Sequence, residues 1–122
     1  MTNRLISRRL IAELDKPISR LALGTGYFTN TDRDTWFGLL DCFCELGGTT
    51  IDCARLYGGG VAEQVLGEWL TARGVREQIV LITKCAHGGS AALLPDEGFE
   101  DTVTREREQS LATLHTNYID LY

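Results

Sequence analysis

Three side chains near the middle of the sequence could move a proton if the fold brought them together: Asp52, Tyr57 and Lys84. A phenol with an ordinary pKa of about 10 is a poor acid near neutrality, and a neighbouring ammonium improves it by stabilising the phenolate. A carboxylate would hold that ammonium charged and in place. The local sequence suits this use. Residues 49–60 read T-T-I-D-C-A-R-L-Y-G-G-G, a β-branched strand with an acid at its end, a tyrosine soon after it, and a break on three glycines. Lys84 closes the apolar run I-V-L-I-T-K-C of residues 79–85. A buried strand accommodates a lysine only at its end or beside an acid, so Lys84 requires a partner.

The elements that would position these groups follow from periodicity and punctuation. Residues 3–20 alternate loosely, and Asp15-Lys16-Pro17 supplies a turn, which predicts an N-terminal hairpin. Residues 20–28, R-L-A-L-G-T-G-Y-F, read as a short buried strand ending in Gly24, Thr25 and Gly26, where backbone can approach a ligand closely. Polar turn residues 29–34 precede a helix carrying Trp36, Leu39, Leu40 and Phe43 at helical spacing, stopped by Gly47 and Gly48. Strand two covers 49–53. A second helix over 61–73 buries Val65, Leu66, Trp69 and Leu70, with Gly74 just past its end. Strand three covers 79–85, a loop 87–98, and a third helix 100–115 with Val103, Ser110, Leu111 and Leu114 on one stripe. Residues 118–122, Y-I-D-L-Y, begin a fourth strand.

The order is βαβαβαβ behind a hairpin, and such alternation implies a parallel sheet with right-handed crossovers. Two architectures fit, an open doubly wound sheet and part of a (β/α)8 barrel. In a barrel the reactive residues come from the carboxyl ends of several strands, which is where Asp52, Tyr57 and Lys84 fall.

Composition narrows the class. The chain has 122 residues, enough for one domain, with 43% apolar and 24% charged residues, as in ordinary soluble globular proteins. Its apolar runs are too short to cross a bilayer, so no membrane association is expected. Arg4, Arg8 and Arg9 are not followed by the apolar run of a signal peptide, and a cytoplasmic protein is expected. A net charge of −5 with scattered basic residues argues against nucleic acid. Cys42, Cys44, Cys53 and Cys85 show no C-x-x-C pairing and read as reduced thiols. Cys53, Cys85 and His87 have no established zinc spacing, so no metal is expected.

Taken singly, Asp52 is a capping or loop acid and Tyr57 a rim aromatic. Four segments together say more. L-A-L-G-T-G, I-D-C-A-R-L-Y-G-G-G-V-A-E-Q-V-L-G, I-V-L-I-T-K and S-L-A-T-L-H-T-N-Y-I-D-L-Y cover nearly the whole chain, and it resembles the aldo-keto reductases in their order and spacing. The resemblance implies a (β/α)8 TIM-type barrel that binds NADPH, with NADH as the alternative, without a Rossmann fold, and reduces a small aldehyde or ketone. In that family an Asp, a Tyr, a Lys and a His form the catalytic set. Asp52 matches the acid, Tyr57 the general acid and Lys84 the lysine. Gly24, Thr25 and Gly26 fall where the family's first βα loop approaches the cofactor, Asp52 beside them, and Tyr27 and His87 line a substrate pocket.

The family's histidine would fall just beyond Tyr122, and its nucleotide-binding residues belong to the second half of the barrel. A whole barrel needs roughly twice this length. Residues 1–122 are therefore read as the N-terminal half of one, an incomplete barrel of about four strands. Two functions follow: carbonyl reduction by the complete protein, or a truncated, non-catalytic half-barrel that self-associates or pairs with another half. Open edges at strands one and four predict self-association.

Overall fold

Two short strands, β1 (Arg8–Arg9) and β2 (Ile18–Ser19), pair antiparallel with Arg8 opposite Ser19 and Arg9 opposite Ile18, so the hairpin read from the turn at Asp15-Lys16-Pro17 forms. The structure is a computed structural model, and it describes residues 5–87 and 97–122. Lys16, in the hairpin turn, reaches across the molecule. It donates to the Ile79 carbonyl (2.7 Å) and the Tyr118 hydroxyl (2.8 Å), and pairs with Asp120 at 3.0 Å.

Behind the hairpin lies a parallel sheet of β3 (Ala22–Gly24), β4 (Thr50–Asp52) and β5 (Val80–Ile82), in that spatial order. Helix α1 (Arg33–Glu45) connects β3 to β4, α2 (Val61–Arg73) connects β4 to β5, and α3 (Phe99–Thr113) follows β5. The register aligns Leu23, Ile51 and Leu81, and one step on Gly24, Asp52 and Ile82. Because side chains alternate along a strand, Ile51 and Leu81 turn to the helices, where they join Leu40 and Phe43 of α1, Val65, Leu66, Trp69 and Leu70 of α2, and Leu114 in the core. The next register row carries Asp52 at its centre, between Gly24 and Ile82.

Helix α2 has the bounds its sequence predicts, because its ends are punctuated by glycine. Gly74 takes the left-handed conformation (φ 61°) and its N–H returns to the Leu70 carbonyl. The middle of α2 lies so close to the turn after α3 that a Cβ on Gly67 would sit 2.8 Å from Leu114 Cα. Asp41 ties α1 to α2 by accepting from Trp69 Nε1 (2.8 Å) and from Arg73, whose guanidinium holds the carboxyl below its usual range.

The structure corrects several expected boundaries. The three strands are shorter than the apolar runs suggest, since only their central residues align in the ladder. Residues 118–122 do not form a fourth strand but make one parallel bridge, Leu121 to Ile82. The reason is local: the Leu81 N–H is taken by the Asp120 carboxylate at 2.8 Å, a side chain standing where a ladder would need a carbonyl. Among the described residues the sheet thus has three strands and one bridge and does not close. On α1, Leu39 is exposed, and Trp36 and Phe37 complete the packed face instead. On α3 the buried stripe is Thr102, Glu106 and Ser110, with Val103 and Leu111 only partly covered. Most of the expected loop 87–98 lies outside the described residues. No helix among the described residues is long and apolar enough to cross a membrane. All four cysteines are free.

Candidate active site

Asp52 is the last residue of β4, and Lys84 lies just past β5, so two adjacent parallel strands deliver an acid and a base side by side. The pairing continues beyond the strands proper: the Cys53 N–H donates to the Ile82 carbonyl (2.8 Å) and the Arg55 N–H to the Lys84 carbonyl (3.3 Å). Tyr57 opens a single 3₁₀ turn, Tyr57–Gly60, that folds back into α2. Gly58, Gly59 and Gly60 all have φ between 60° and 100°, a reversal that residues with a Cβ rarely adopt. Gly58 also lies close to Phe28, since a Cβ there would be 3.0 Å from the Phe28 carbonyl oxygen. The three glycines are what set the tyrosine back over the strand ends.

The result is a converging set. Lys84 Nζ is 2.8 Å from Asp52 Oδ1, donates to the Cys53 carbonyl at 2.8 Å, and donates to Tyr57 Oη at 3.2 Å. An ammonium has three donors, and all three are used. Burial works to lower the Lys84 pKa, but the hydrogen bonds to Asp52 and Tyr57 outweigh it and hold the group above its ordinary value. The Lys84 side chain is 39% exposed and that of Asp52 32%, so the set opens to solvent at the carboxyl end of the sheet. Cys53, between Asp52 and the tyrosine loop, has its thiol pushed up to about 11, chiefly by burial, and acts as a spacer.

Thr25 is fully buried, and both its N–H (3.0 Å) and its hydroxyl (3.1 Å) donate to the Asp52 carbonyl, which fastens the exit of β3 to the end of β4. Gly24 and Gly26 flank it with exposed backbone and nothing within 4 Å of where a Cβ would lie. Tyr27 is 89% exposed, whereas its neighbour Phe28 is buried and stacked on Trp36 at 4.9 Å. His87, partly buried, follows Lys84 by three residues. Among the described residues, no hydrogen bond or ion pair joins Tyr27 or His87 to the Asp52, Tyr57 and Lys84 set. Nor is there among them a cluster of three or more histidine, cysteine or acidic side chains that could hold a metal.

Two buried acids near the set escaped the sequence reading. Glu63 is fully buried and Glu106 is 8% exposed. Spacing could have found both: Glu63 precedes Leu66 and Leu70 on the apolar stripe of α2, and Glu106 stands one helical turn from both Val103 and Ser110.

An acid, a lysine and a tyrosine converge at the carboxyl ends of parallel strands, on a sheet covered by crossover helices, which is where α/β barrels carry their functional side chains. The chain belongs to the aldo/keto reductase family, whose model matches residues 20–122. Among its relatives, norsolorinic acid reductase stcV of Emericella nidulans is 38% identical over 85% of this chain and 30% of that protein. The holo form of aldo-keto reductase AKR11C1 from Bacillus halodurans superposes with a TM-score of 0.75 at 30% identity, over 96% of this chain and 39% of that one. An aldo/keto reductase from Klebsiella pneumoniae, solved with NADP and acetate, gives a TM-score of 0.68 at 31% identity, over 85% of this chain and 34% of that one. The chain spans between 30% and 39% of the length of these relatives.

Proposed function

We propose that this chain is the N-terminal part of an NADPH-dependent aldo-keto reductase that reduces a small aldehyde or ketone, with Tyr57 donating the proton. The single observation that carries this reading is the Lys84 ammonium, which donates at once to Tyr57 Oη and to Asp52. As a carbonyl oxygen takes the Tyr57 proton, the charge left on the phenolate is met by a hydrogen bond already in place, so little rearrangement is needed. Asp52 balances the lysine and keeps it protonated throughout. A positioned general acid of this kind typically contributes about 10²–10⁴-fold to the rate.

The residues present fit the nicotinamide end of the cofactor. Exposed glycine backbone at Gly24 and Gly26, with open space above it, lies beside Asp52, and Thr25 holds that loop to the strand end. When bound, the reduced nicotinamide supplies the hydride to the carbonyl carbon. The NADP in the Klebsiella relative supports NADPH over NADH. Tyr27, an exposed aromatic next to this loop, and His87, just beyond Lys84, would form walls of the substrate site. Following NADPH absorbance with an activated aldehyde tests the reading. Turnover that disappears in Tyr57→Phe supports it, and turnover indifferent to that change contradicts it.

A second reading has its own support. Exposed Leu21 lies beside β3 at one outer edge of the sheet, and exposed Leu121 and Tyr122 lie at the other. Open edges with apolar side chains favour association, and the chain taken alone would then self-associate or pair with another half-barrel. Light scattering tests this, with a dimer or larger species expected; a monodisperse monomer with a cooperative thermal transition would overturn it.

A further inference from the structure

Contacts on both sides of Lys84 in the chain reach back to buried carboxylates. Thr83, immediately before it, donates its hydroxyl to Glu63 Oε1 at 2.6 Å. Ala86, two residues after it, donates its N–H to Glu106 Oε2 at 2.8 Å. Glu63 comes from the first turn of α2 and Glu106 from the middle of α3, so the two helices behind the sheet each send one acid to the same short segment. Arg55 completes the arrangement. Its N–H donates to the Lys84 carbonyl, its guanidinium lies 3.8 Å from Glu63 Oε2, and its Nε donates to Gln109 of α3 at 3.0 Å.

Burying a carboxylate is unfavourable unless it is compensated, and a helix facing a sheet is ordinarily apolar there. Glu63 gains from the positive end of the α2 dipole and from Arg55, yet its second oxygen has no hydrogen-bond partner. Apolar residues would cover the sheet equally well, but they could not fix the direction of the backbone. Glu106 bonds the chain where that matters most: Ala86 has φ 53°, a conformation unfavourable for a residue with a side chain, and it directs the chain away from β5 right after Lys84.

We infer that Glu63 and Glu106 are positioning residues, two carboxylates that grip the chain on either side of Lys84 and so hold its ammonium against Tyr57 and Asp52. The inference rests on reading Asp52, Tyr57 and Lys84 as the catalytic set. Neither glutamate touches the reacting atoms; both act through Lys84.

The sequence holds two lysines, Lys16 and Lys84, and both ammonium groups are fully hydrogen-bonded, which slows their exchange with water. Nitrogen-15 labelling of lysine therefore yields two side-chain ammonium resonances, with Lys16 as an internal control for the fold. In Glu63→Ala and Glu106→Ala the Lys84 resonance is lost to exchange while that of Lys16 persists. In Glu63→Gln and Glu106→Gln, which keep an acceptor oxygen, the Lys84 resonance is retained. A Lys84 resonance unchanged in both alanine variants would overturn the inference, as would loss of both lysine resonances together, which marks a general packing role. A parent chain without a Lys84 resonance would instead defeat the geometry of the catalytic set, independently of any assay of turnover.

Discussion

The Asp52 carboxylate and the Lys84 ammonium, 2.8 Å apart, come from the ends of adjacent parallel strands whose register places Asp52 beside Ile82. That register makes the pair a consequence of the sheet rather than of a loop. The lysine then has two donors left, one for the Cys53 carbonyl and one for Tyr57. Replacing Asp52 with asparagine removes the charge and keeps the shape. In the complete protein this lowers kcat by about 10²-fold, the low end of the range that general acid catalysis supplies, and leaves KM for a carbonyl substrate nearly unchanged. Steady-state kinetics with an aldehyde check it.

Asp120 carries a comparable load at the other end of β5. It pairs with Lys16 and Arg76, each at 3.0 Å, and accepts the Leu81 N–H, with its own side chain only 5% exposed. Asp120→Ala leaves two cations and a backbone donor without their acceptor. Breaking a buried pair by removing one partner costs about 3–5 kcal/mol, to be read from the urea midpoint at unchanged slope.

Gly67 is where α2 meets the end of α3. A methyl there presses on the Thr113 carbonyl and on Leu114 Cα. Overpacking of this kind costs about 1–3 kcal/mol, so Gly67→Ala lowers the thermal midpoint, whereas Gly26→Ala, with open space above it, lowers it far less.

Alkaline pH weakens the fold in a defined window. Burial raises the Cys44 and Cys53 thiols to about 11 from an ordinary 9.0. Raised acids of this type contribute stability that is complete below pH 9.0 and is lost as pH climbs toward 11, because the unfolded chain ionises first. Lys84, held above 10.5, keeps its full contribution below pH 10.5 and begins to lose it as pH climbs past that value. Thermal midpoints therefore decline from pH 9 to 11. In the folded protein at pH 8, iodoacetamide modifies exposed Cys42 ahead of Cys53, as peptide mass analysis can show.

The meeting of Asp52, Tyr57 and Lys84 was more legible in the sequence than the ladder that carries it. Asp52, Tyr57 and Lys84 stood out because an acid, a phenol and an ammonium at strand ends are rare residue types in apolar surroundings, and Gly74 and the glycines at 58–60 marked the ends of α2 by backbone necessity. The fourth strand was overread: Y-I-D-L-Y has the pattern of a strand, but Asp120 satisfies Leu81 with its side chain and the ladder stops at one bridge. Thr25, read as a residue of the cofactor loop, has a second task that its type did not announce: its hydroxyl fastens the exit of β3 to the Asp52 carbonyl. Glu63 and Glu106 were passed over because an acid on an apolar stripe reads as a break in the pattern, and only the contacts across helices show what each one holds.

The central claim is that Tyr57, supported by Lys84 and Asp52, hands over the proton in carbonyl reduction. The direct measurement is single-turnover NADPH oxidation with an aldehyde by the complete protein and its Tyr57→Phe variant, alongside NADPH binding by fluorescence. The account predicts a rate lower by about 10²–10⁴-fold with cofactor affinity unchanged. A variant that turns over at the parental rate would contradict it.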